Sequence, residues 1–165
     1  MAILSSVNGF LLKIASWIVI ILMGVIAIII PYEVLGRYVL GDMPAWSGEV
    51  TTFSLVWISM LGAAVGLPRG YQIGMTFFVE KLPAGAQKIV NIISHLLTLF
   101  ILLVLFFFGL DQSLYNLHQT SPAMEISMAL PYLAIPVGAS IMALTTVEQL
   151  AKVIWPSENK KLNLL

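Results

Sequence analysis

The chain has 165 residues, 59% of them hydrophobic and 10% charged, with a formal net charge of zero. A water-soluble fold of this size cannot cover that much apolar surface, so the solvent of this chain is lipid. No basic block invites nucleic acid, and the absence of cysteine excludes disulfides, thiolate nucleophiles, iron–sulfur clusters and thioether-linked haem.

The first apolar run follows Lys13. From Ile14 to Tyr32 there are 19 uncharged residues, longer than the roughly 7–15 of a secretory signal core, and no small-residue cleavage pattern follows. The run is expected to stay as a membrane span over about 12–37. At its far end Glu33 and Arg37 stand four apart. The spacing suits an ion pair at the interface; the other reading is that Arg37, the one basic residue on its side of the membrane, faces a partner. Glu33 lies about 30 Å of helical rise beyond Lys13, at the edge of the bilayer, whereas a small proton-coupled transporter would carry its carboxylate near the midplane.

Asp42 follows in a short loop, and Trp46 and Glu49 open the second span, about 46–68. Trp46 suits the headgroup belt and Glu49 the positive end of a helix dipole. Beyond Trp57 comes Leu61-Gly-Ala-Ala-Val-Gly66, a GxxxG face through which helix backbones approach closely in lipid. Gly62 and Gly66 are therefore expected at a helix-packing face, either inside this chain or between subunits. In the next segment, 72–83, Met75, Phe78, Val79 and Leu82 form a stripe that predicts a short interfacial helix ending at Pro83; the alternative is an apolar loop packed on the helix ends.

The third span is expected over about 86–112. The titratable residue well inside it, His95, reads as a packing residue. His118 cannot join it on one haem, since 23 residues of helix separate the two imidazoles by about 35 Å. In the fourth span, about 128–150, Ala134 and Gly138 make a weaker small-residue pair, while Pro131 and Pro136 should bend the helix or fix its start near Met128. Residues 151–165 form a tail.

These runs lack the alternation of barrel strands, so the expected fold is all-α, a single integral membrane domain of four transmembrane helices in a bundle. Orientation follows the lysines and arginines. With four spans both termini share one side, which holds Lys13, Arg69, Lys81, Lys88, Lys152, Lys160 and Lys161, against Arg37 alone opposite. That distribution places both termini in the cytoplasm. No catalytic residue, metal site or cofactor site is expected.

Three stretches resemble the small membrane subunit, or Q component, of tripartite ATP-independent periplasmic (TRAP) transporters. They are Gly36-Arg-Tyr-Val-Leu-Gly41 with Pro44-Ala-Trp-Ser-Gly-Glu49, then Val56-Trp57 through Gly62 and Gly66 to Arg69-Gly-Tyr-Gln-Ile73, and Ser121-Pro-Ala-Met124 leading to Pro131-Tyr-Leu-Ala-Ile-Pro-Val-Gly138. The chain departs from that family at Gly48, where an acidic residue is usual, and at Gln72, Met75 and Thr76 of the inner loop. The resemblance implies an importer of the bacterial inner membrane. In it a soluble periplasmic protein (P type) captures an organic anion, sialic acid or a C4-dicarboxylate, with overall likeness leaning to sialic acid. A large elevator-like membrane subunit (M type) then moves the anion with sodium. This chain would bind and stabilise the large subunit, through a face including Trp57, Gly62, Gly66 and Gly138. Arg37, Asp42 and Glu49 would help to dock the soluble protein, and Phe78 and Leu82 would sit at the lipid interface. The rival reading is a self-sufficient small homodimeric transporter, which would want a midplane carboxylate; a respiratory membrane anchor would want a pair of haem ligands.

Overall fold

The structure, a computed structural model, describes residues 2–41, 44–69 and 83–154. Asp42, and Phe78 and Leu82 of the expected interfacial helix, lie outside the described residues. Four helices in this structure are long and apolar enough to cross a membrane. Helix α1 runs Ala2–Leu35, with Pro31 near its end. It starts well before residue 12 because nothing between Ala2 and Leu12 breaks a helix. At about 51 Å it is longer than the roughly 30 Å hydrocarbon layer it has to cross. It passes into a π-helical turn over Gly36–Leu40, and Gly41 then takes the left-handed conformation (φ 70°) that ends it and suits a residue without Cβ.

Helix α2 spans Ala45–Gly66 and tightens into a 3-10 turn over Leu67–Arg69. Its first turn is closed by Ser47, whose backbone N–H and hydroxyl donate to the Pro44 carbonyl at 3.2 and 2.8 Å. Helix α3 covers Ala84–Tyr115 and α4 covers Ala129–Ile154. The start of α4 agrees with the position expected from Pro131, which sits in the first turn where its missing N–H is no loss.

Helix α4 is the centre of the molecule. It packs along α3 on one side and α2 on the other, while α2 carries α1, which reaches α4 only lightly. Among the most apolar stretches, 44% of α4 is buried, against 17% for α2 and 11% for each of α1 and α3. The four helices of the expected bundle therefore stand as an open row, α1–α2–α4–α3. The core lies where α2, α3 and α4 meet, at Ala64, Leu102, Ala139 and Met142, with Met60, Phe106 and Ile141 against it. Small side chains on α4 allow this close approach, which in lipid is the main source of helix association.

Two glycines make the contact tightest. A Cβ at Gly138 would stand 2.8 Å from Met60 Cβ and 3.2 Å from the Met60 carbonyl carbon and oxygen. One at Gly109 would stand 2.7 Å from Ile135 Cγ2 and 3.1 Å from Pro136 Cδ. Gly62 and Gly66 differ, since a Cβ at either would meet none of the described residues within 4 Å. Among the described residues the GxxxG face is open, and the weaker pair in α4 supplies the glycine that packs.

Candidate functional site

One end of the row carries the turn 36–41 and the loop 116–128; the other carries Ala2, the turn 67–69 and Ile154. At the loop end, the Tyr32 and Trp46 rings stack across α1 and α2 with centroids 6.3 Å apart and planes inclined by 27°. Trp46 is partly exposed, as an aromatic of the headgroup belt is. Arg37 is exposed on the π-helical turn.

Glu49, in the first turns of α2, reaches the loop between α3 and α4. Its carboxylate oxygens accept the backbone N–H groups of Ala123 and Met124 at 2.8 and 2.9 Å and are also hydrogen-bonded by the Ser121 side chain. Ser121 is buried and organises the loop from within. Its N–H donates to the Ile126 carbonyl at 2.8 Å, and its Oγ accepts from the Ile126 N–H at 3.3 Å. Further along, Met128 N–H donates to the Gln119 carbonyl at 2.8 Å and Ser127 Oγ to the Leu117 carbonyl at 2.7 Å. This lattice holds Glu125 at a positive φ of 54°. Two of the quoted motifs, Pro44–Glu49 and Ser121–Met124, thus meet in one cluster, which the sequence placed on separate loops.

The terminal end holds a second polar cluster that sequence reasoning missed. Glu148 is 8% exposed; it accepts a hydrogen bond from the Asn8 amide and pairs with Lys152 at 2.6 Å. Thr145 Oγ1 donates to Asn8 Oδ1 at 3.0 Å, and Gln149 reaches the Leu67 carbonyl at 3.5 Å. The cluster borders a cleft of about 400 Å³ lined by Ser5, Asn8, Pro68, Thr145, Glu148 and Lys152. An i, i+4 Glu–Lys pair and a lone asparagine near an apolar run were the only signals for it. His95 is buried, with Nδ1 2.6 Å from the Asn91 carbonyl, so its ring donates to its own helix.

No group in either cluster pairs a nucleophile with a base; both join helices. The profile of the DctQ component of the tripartite ATP-independent periplasmic transporters matches residues 26–154. The chain belongs to that family. Among its relatives, the isethionate TRAP transporter permease protein DctMQ of Oleidesulfovibrio alaskensis is 31% identical over 78% of this chain and 22% of its own length. The C4-dicarboxylate small permease protein DctQ of Rhodobacter capsulatus is 32% identical over 59% of this chain and 44% of its own length. The sialic acid small permease protein SiaQ of Vibrio cholerae is 22% identical over 78% of this chain and 75% of its own length. The chain thus spans less than half the length of the first two. As a DctQ-family protein it is a multi-pass membrane component of a transporter, and its relatives serve chemically different cargoes.

Proposed function

We propose that this DctQ-family chain is the fixed scaffold of a sodium-coupled, binding-protein-dependent importer of an organic anion in the bacterial inner membrane. It binds the large M-type subunit and helps to dock the soluble P-type protein. The observation that carries this reading is the open row: α1 and α3 leave most of their apolar faces uncovered, and the Gly62–Gly66 face lies open. An elevator needs one part anchored while another slides, and an open helix row with an open small-residue face gives a large subunit such an anchor. A relative whose single chain bears the name DctMQ supports an M-type partner.

The excess of Lys and Arg supports a cytoplasmic side for both termini; on that reading the loop end, with Arg37 and Glu49, faces the periplasm and the soluble protein, and Asp42 of the sequence joins them in docking. The relatives' cargoes include a sulfonate, dicarboxylates and a sugar acid; cargo choice between sialic acid and a C4-dicarboxylate accordingly rests with the partners.

The test is capture of the tagged chain from native membranes in mild detergent, followed by mass spectrometry. A stoichiometric, much larger multi-span partner is expected. Recovery of the chain alone as a stable dimer would overturn the scaffold reading in favour of a self-sufficient transporter.

A further inference from the structure

The connection from α3 to α4 occupies residues 116–128, longer than the roughly 2–8 residues that usually join neighbouring helices. It is closed by its own hydrogen bonds, and it leaves Pro122, Ala123 and Glu125 exposed. Glu125 is held in a backbone conformation that residues with a Cβ rarely adopt, a form of strain that concentrates at functional surfaces. The tie that fixes this loop to the rest of the protein comes from Glu49, 74 residues earlier in the chain than Ala123. The Glu49 carboxylate accepts two backbone N–H groups and so fixes where they stand, through charge-assisted hydrogen bonds, which are among the stronger ones.

We propose that Glu49 is a positioning residue: through Ala123, Met124 and Ser121 it holds the 119–127 loop in the shape that the soluble binding protein reads. Its contribution to docking is the geometry of the loop and not its own charge. The inference rests on the docking reading above and differs from it in mechanism, since Arg37 would act on encounter through its exposed charge.

The experiment uses the whole membrane complex reconstituted in liposomes, with transport driven by added ligand-loaded binding protein. Glu49→Gln preserves shape but turns one acceptor oxygen into an NH2 group that faces a backbone N–H. Faster amide exchange over 121–126 is expected, together with a rise of about ten-fold in the KM for the binding protein. The maximal rate and the salt dependence of KM should both be unchanged. A merely structural role would lower the maximal rate by reducing the amount of intact complex, and that result would overturn the proposal. A flattened salt dependence in E49Q, as Arg37→Gln should give, would show that Glu49 acts by charge, and would also overturn it. Faster exchange with an unchanged KM would sink the positioning role while leaving docking intact, whereas a wild-type rate independent of the binding protein would remove docking and this inference together. Should E49Q fail to assemble, Ser121→Ala loosens the same tie from the loop side and reads out in the same way.

Discussion

At position 138 there is room for a hydrogen atom and little else, because Met60 presents backbone as well as side chain at 2.8–3.2 Å. Gly138→Ala should therefore force α2 and α4 apart and destabilise the detergent-solubilised chain by about 1–3 kcal/mol, the usual cost of overpacking. Gly62→Ala meets nothing and relieves the intrinsic penalty of glycine inside a helix, so it should stabilise the isolated chain by up to about 1 kcal/mol. A thermal melt of both variants checks the contrast; equal shifts would mean that the two glycines are alike in environment. Spacing alone ranks Gly62 and Gly66 above Ala134 and Gly138. It reports which residues share a face and is silent on which face meets a neighbour. Gly109 and Ser113 also stand four apart as a small-residue pair, but the close contact of Gly109 with Ile135 and Pro136 is visible only once α3 lies on α4.

At the scale of the element, α1 meets α4 in the polar cluster where Asn8 and Ser5 reach Glu148 and Asn8 also meets Thr145, and the charges within it are unequal. Lys152 has a side chain 65% exposed, whereas that of Glu148 is 10% exposed. Glu148→Ala leaves the buried Asn8 amide without its acceptor and should cost about 1–3 kcal/mol, while Lys152→Ala removes a mostly solvated partner and should cost under about 1 kcal/mol. The melts of the two variants, with limited proteolysis of the first turns of α1, test this; a larger loss in Lys152→Ala would mean that the ion pair and not the Asn8 bond holds the end. The four helices were legible because charges bracket each apolar run. The same logic hides this tie, since Glu148 stands at the end of the fourth expected span, about 128–150, and Asn8 ahead of the first, about 12–37. A helix does not end where the hydrocarbon does, and α1 and α4 continue far enough to bring the two residues together.

For the whole molecule, helix number and order were readable from composition, and the row arrangement was not. Four apolar spans bury equally well in lipid whether they close into a ring or stand side by side, because lipid tails satisfy their faces as well as another helix does. What selects the row is the distribution of small residues on α4 and the two polar ties at its ends, which are tertiary facts. Orientation is the remaining property of the whole, and it rests on the charges that bracket the spans. The chain has no cysteine, so a single introduced thiol reports its own side of the membrane without background. Gln119→Cys in the 116–128 loop should react with a membrane-impermeant maleimide in intact spheroplasts, and Lys160→Cys in the tail only after lysis. The reverse pattern would place the loop tied by Glu49 in the cytoplasm, where no periplasmic protein reaches it. Docking would then have to be abandoned, although the row, its open glycine face and the need for a membrane partner would all stand.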